Sequence, residues 1–176
     1  MIEKFSFGAY VIVYNGQIYN TKELKETLLQ NDFTINTHSD TEILLKSYIY
    51  YGHDVVKHLN GIFAFAILDT NKNEVFLARD HFGIKPLFYT IKDGTIIFGS
   101  ELKAIFEYPG IEKILDQQGI CELFGIGPAH TPGTTIFKDI YEIKPAHFGI
   151  FNNSGLHLKQ YWKLVSKEHT DSLGKT

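Results

Sequence analysis

Four runs rich in β-forming residues follow one another between positions 61 and 100: GIFAFAILD, EVFLARD, PLFYTIK and TIIFGS, separated only by TNKN, HFGIK and DG. β-branched and aromatic residues gathered into short runs between turn formers predict consecutive antiparallel strands. Asp93-Gly94, flanked on both sides by such runs, is the signal of a two-residue hairpin. HFGIF and LHLKQYW predict another hairpin across 152–155. A chain with this much consecutive β pattern needs apolar layers on its sheet faces, and 44% hydrophobic and 14% aromatic residues supply them.

Helical patterns surround the strands. NTKELKETLL places Asn20 three residues before Glu23, with Leu24 and Leu28 on one face, which predicts a capped amphipathic helix. SDTEILLKSYIYYG repeats the pattern, with Ser39 or Asp40 ahead of Glu42, apolar Ile43, Leu44, Tyr48 and Ile49, and Gly52 as the stop. Residues 10–14 and FTINT at 33–37 read as strands, 54–59 as a short helical piece, and ELKAIFEY and DQQGICELF as short helices. A Gly/Pro-containing loop is expected over 125–134. The fold class that results is α+β, helices against more than one antiparallel sheet, which excludes a doubly wound nucleotide-binding fold. GIGPAH follows a helix and lacks the Lys-Ser/Thr ending of a phosphate loop.

Several function classes fall away on composition. The 176 residues suit one domain, and a net charge of −3 with both signs interspersed offers no basic field for nucleic acid or an anionic membrane surface. The longest strictly apolar run, IFAFAIL at 62–68, is far short of the roughly 20 residues of a spanning helix. No secretory signal pattern precedes Tyr10, and a single Cys cannot form an internal disulfide, so the expected setting is reducing and cytoplasmic.

The candidate chemistry begins at YVIVYNGQIYN. Asn15-Gly16 is a common hairpin turn, yet only Gln17, Ile18 and Tyr19 separate it from the Asn20 cap, too few for a returning strand of about 5 residues. The expectation is strand, sharp turn, helix. In that geometry the Gly N–H and the Asn side-chain amide could face one developing oxyanion, or the pair could be ordinary turn formers. Asp40 reads as a helix cap that could also face a cationic group such as a substrate ammonium. Cys121 would be the nucleophile of a cysteine hydrolase, but its neighbours Ile120, Leu123 and Phe124 make it a small core residue instead. His53 and His58 are five apart, off the spacing of a helical zinc pair, so no metal is expected. Arg79 and Asp80 read as a structural ion pair or turn.

YNGQIYN, SDTEILLKSY, LNGIFAFAILD, LARDHFGIKPLFY and GSELKAI occur in that order, and together they resemble the glutaminase domain of glutamine-dependent asparagine synthetases. That domain is a class II glutamine amidotransferase with the N-terminal-nucleophile hydrolase fold, a four-layer αββα sandwich of antiparallel sheets. The resemblance implies an N-terminal Cys that attacks the side-chain amide of glutamine, with Asn15 and Gly16 as oxyanion hole, Asp40 on the α-ammonium and Gln17 near the same amino-acid head. It also implies departures. Family members carry the Cys, and a substrate-gripping Arg, in a segment upstream of the Asn-Gly, and more often have Glu at the position of Gln17. On this reading 1–162 are a partial amidotransferase domain lacking its N-terminal strands and inactive alone, with 163–176 a linker toward an absent synthetase domain. ATP and Mg belong to that domain, which forms asparagine from aspartate with glutamine nitrogen. Glutamine is the expected partner, with self-association through an exposed sheet surface.

Overall fold

Strand β3 (Gly61–Asp69) sends Phe63, Phe65 and Ile67 to one side and Ile62, Ala64 and Ala66 to the other. A strand apolar on both faces is stable only between two covering layers. The computed structural model, which describes residues 1–5, 8–127 and 131–166, shows both layers.

The first layer is a pair of helices, α1 (Thr21–Gln30) and α2 (Asp40–Tyr51). Leu24 and Leu28 of α1 and Leu44, Leu45 and Tyr48 of α2 pack on Phe63, Phe65 and Ile67, joined by Ile12 of β2 (Gly8–Ile18) and Phe76 of β4 (Glu74–Arg79). Each of these large side chains contributes about 1.5–3 kcal/mol by leaving water. The second layer is another sheet. Ala64, Ala66 and Leu77 lie beneath Leu87, Tyr89 and Ile143, the small alanines letting the two sheets approach.

With β1 (Ile2–Phe5), β5 (Phe88–Lys92), β6 (Thr95–Gly99), β7 (Tyr141–Glu142), β8 (His147–Asn152) and β9 (Gly155–Gln160), the strands form a six-stranded sheet, β1-β2-β3-β4-β8-β9, and a three-stranded sheet, β6-β5-β7. Every pairing is antiparallel. Short helix α3 (Leu102–Phe106) packs on β5 and β6, which completes the α/β/β/α order of layers. Helix α4 (Gln117–Ile126) follows, its Asp116 side chain accepting from Gly119 N–H at 3.0 Å.

The expected hairpins are present. Asp93 and Gly94 have φ of 50° and 72°, the two positive values a type I′ turn requires, between β5 and β6. The four runs are not, however, four neighbouring strands. β4 pairs with β3 and β8, while β5 belongs to the other sheet. The chain leaves the large sheet after Arg79, builds the second layer, and returns at His147.

Three local expectations are corrected. Asn20 occupies the cap position of α1 without capping it, because its side chain donates to His58 O (2.9 Å) and accepts from Asn60 N–H (2.9 Å). FTINT is not a strand: the N–H groups of Asn36 and Thr37 donate to the Glu42 carboxylate at 2.8 and 2.6 Å, so no ladder is available to them. β1 and the two-residue β7 have too little pattern to stand out. Of the loop expected at 125–134, Gly125 and Ile126 close α4, and 128–130 lie outside the described residues, as does 167–176 of the expected linker.

Candidate functional site

Asn15 and Gly16 do not turn. They lie within the continuous strand β2, opposite Ala64 and Phe63 of β3. The glycine is there for close approach: a Cβ on Gly16 would run into the Ile62 carbonyl oxygen and come within 2.8 Å of Phe63 Cα. Nine paired residues along β2 and β3 outweigh a two-residue turn propensity.

The other edge of β2 is paired with β1 only from Gly8 to Val11. Beyond that point alternate N–H groups turn outward. Ile12 N–H donates to Met1 O (2.9 Å) and Ile18 N–H to Asp40 Oδ2 (3.4 Å). By the two-residue alternation of an antiparallel ladder, Gly16 N–H turns to this same edge. Asn15 projects on the side of the second sheet, where its Nδ2 donates to Ser100 Oγ at 3.3 Å. A cavity of about 340 Å³ between the sheets is lined there by Asn15, Ala64, Leu87, Phe98 and Ser100. Gln17, exposed, follows on the same strand.

Asp40 approaches the edge from the helix side. The capping expectation is corrected, since Ser39 Oγ accepts from Thr41 N–H (3.2 Å) and caps α2, leaving the Asp40 carboxylate for other donors. Its Oδ2 accepts from Tyr14 Oη (2.9 Å) as well as from Ile18 N–H. Burial, then the hydrogen bond to Asp40 and that carboxylate's charge, push the Tyr14 hydroxyl well above its ordinary range, so it is a donor throughout. The loop before Asp40 is pinned by fully buried Glu42. Burial pushes this carboxyl up, but Lys46, Thr37 and the N–H groups of Asn36 and Thr37 outweigh it and hold it at about 2.

The structure thus gathers Asn15, Gly16, Gln17 and Asp40 around one stretch of strand edge. Tyr14 and Ser100 escaped the sequence reading, although both are inside the quoted motifs; each acts across the fold on a residue 26 or 85 positions away.

The remaining candidates lie elsewhere. Cys121, expected in the core, is exposed on α4, because only one side of that short helix packs, Gly119 lying against the Ile136 backbone. His53 pairs with Glu74 (Nε2–Oε1 2.5 Å) while His58 stacks on Tyr51, so the two serve different contacts. Among the described residues no three His, Cys, Asp or Glu converge as metal ligands, and no helix is long and apolar enough to cross a membrane. Arg79 and Asp80 are structural. Arg79 pairs with Glu142 (2.6 Å) and donates to Lys85 O, Gly83 O and Ile143 O, while Asp80 organises the loop after it.

Two antiparallel sheets face to face between helices place the chain in the N-terminal-nucleophile hydrolase class of fold. Two solved structures share it. One is glutamine phosphoribosylpyrophosphate amidotransferase from B. subtilis complexed with ADP and GMP, at TM-score 0.64 and 20% identity over 94% of this chain and 32% of that one. The other is the allosteric regulatory enzyme of purine biosynthesis, at 0.63 and 21% over 92% and 30%. Residues 4–162 match the glutamine amidotransferase domain family, and the chain belongs to it. It is 49% identical over 167 residues to glutamine-hydrolysing asparagine synthetase 3 of Bacillus subtilis (strain 168), covering 95% of this chain and 27% of that protein. It is 37% identical over 163 residues to asparagine synthetase 2 of the same strain, covering 89% and 22%. The chain spans about a quarter of the length of these curated relatives.

Proposed function

We propose that this chain forms the glutamine site of an amidotransferase that supplies nitrogen for ATP-dependent conversion of aspartate to asparagine. The observation that carries the reading is the edge of β2, where an outward N–H at Gly16, the Asn15 amide and the Asp40 carboxylate lie around one stretch of backbone. Asn15 Nδ2 and Gly16 N–H are the oxyanion donors for the tetrahedral intermediate of amide hydrolysis, held by a rigid strand. Asp40 takes the α-ammonium, and Gln17 lies beside the amino-acid head without adding the charge that Glu would bring.

The 176 residues by themselves bind glutamine without hydrolysing it. Their one thiol, Cys121, is on α4 and does not line the cavity beside Asn15. ATP and Mg would serve the synthetase step of the parent reaction, outside the glutamine site. An exposed thiol fits a reducing, cytoplasmic setting.

Calorimetric titration with L-glutamine, run beside an ammonia assay, tests this reading. Saturable binding that Asp40→Ala abolishes, with no ammonia released, is expected. Absence of binding overturns the glutamine site, and ammonia release by the 176 residues overturns their inactivity.

A second reading, in which a non-catalytic glutamine-binding module serves to pair subunits, draws on the sheet face away from α1 and α2. Ile2, Val11 and Leu68 lie in one row across β1, β2 and β3, and Ile2 and Val13 are 58% and 55% exposed. Exposed Ile2, Val13 and Leu68 around half-buried Val11, beside an open strand edge, favour self-association. Light scattering checks it, and a monomer at high concentration counts against it.

A further inference from the structure

The proposed glutamine site depends on which oxygen of Asp40 meets the ligand. Tyr14 Oη at 2.9 Å and Ile18 N–H at 3.4 Å both donate to Oδ2. Among the described residues no hydrogen bond reaches Oδ1. Two donors converging on one carboxylate oxygen fix the side-chain torsions and leave the second oxygen as the open acceptor.

Tyr14 is well placed for this work. Its backbone belongs to the central part of β2, opposite Phe65, and its half-buried ring packs against the core beneath α1 and α2. The hydroxyl is therefore positioned by a rigid element rather than by a loop. Asp40, by contrast, opens α2 at the end of a segment without regular structure, and Ser39, not Asp40, is tied to the helix end. A carboxylate in that place needs an outside anchor to hold one orientation.

We propose that Tyr14 is a positioning residue of the glutamine site, locking Asp40 so that Oδ1 faces the α-ammonium and the site selects amino acids over amides that lack the α-amine. The inference rests on the reading of Asp40 given under Proposed function. It deepens that reading by naming what confers selectivity for the head group.

The test compares wild type with Tyr14→Phe, which keeps the ring and removes only the hydroxyl. Each chain is titrated with L-glutamine and with glutaramic acid, the same amide without its α-amine. The expected result is a loss of about tenfold in glutamine affinity with glutaramic acid unchanged, the scale of one hydrogen bond to a charged group. Equal losses for both ligands would make the hydroxyl a general structural contact and overturn the proposal, as would no loss for either. A Tyr14→Phe chain that fails to fold makes the hydroxyl a stability element and overturns it too. If the wild type itself ignores glutamine, the functional reading fails first, and that outcome is visible before any variant is compared.

Discussion

Asp80 and Asp40 are two aspartates near the same pair of strands, and the fold treats them in opposite ways. Asp80 is 1% exposed, and four N–H groups reach its carboxylate: Phe82 and Ile84 on Oδ1, Phe63 and Lys85 on Oδ2. Asp40 is partly exposed, and both of its donors share one oxygen. A carboxylate saturated by backbone donors holds a loop in shape. One supplied on a single side, at an unpaired strand edge, can still receive a ligand. Residue type alone did not separate them, since RDHFGIK and SDTEI each offer an Asp beside the end of a regular element.

The contrast can be broken first at the saturated centre. Asp80→Ala leaves four N–H groups without their acceptor, and we expect a loss of about 3–4 kcal/mol, read from urea unfolding. Gly16→Ala comes next, at about 2–3 kcal/mol in the same measurement, because the added Cβ meets Ile62 O and the β3 backbone. A destabilisation by Gly16→Ala below that of an exposed substitution would mean that the strands separate easily there.

Glu42 sharpens the comparison through pH. Its folded-state carboxyl is held at about 2 against an ordinary 4.5, so its stabilisation is complete above 4.5 and is lost as pH falls toward 2. Glu42→Gln should flatten that part of the stability profile, and an unchanged slope would assign the acid sensitivity to other carboxylates. The smallest effect on stability is expected at Asp40→Asn, under about 1 kcal/mol, although the same change should remove glutamine binding. If Asp40→Asn costs as much as Asp80→Ala, the two aspartates are both structural and the contrast disappears.

Much of this could be read from the sequence because it is local. GIFAFAILD, EVFLARD and the Asp93-Gly94 hairpin carry their own period and turn chemistry, and α2 carries its cap, its apolar face and its Gly52 stop. The failures come from contacts that the local pattern does not carry, most of them with partners far away in sequence. Asn15-Gly16 has the composition of a turn, but β3 holds it extended. Asn20 has the composition of a cap, but His58 and Asn60 occupy its side chain. The strand pattern of FTINT yields to Glu42, and the apolar surroundings of Cys121 do not bury it, because Leu123 and Phe124 are themselves exposed. The candidate residues Asn15, Gly16, Gln17 and Asp40 stand inside quoted motifs. The anchoring bonds of Tyr14 and Ser100 were not legible, because each joins elements whose adjacency only the fold creates.

The excursion that builds the second sheet begins and ends at one point. Ala146 N–H donates to Asp80 O at 2.8 Å, and Tyr161 secures the junction by donating from its N–H to Ala146 O and from its hydroxyl to Arg79 O. A segment stitched at its base in this way is a graft on the six-stranded sheet. Lengthening such an insert adds only about 0.6 kcal/mol of closure entropy per doubling. The upper wall of the cavity beside Asn15 can therefore be remodelled, by insertion or exchange of residues within 86–144, while the strand that presents Asn15 and Gly16 keeps its register.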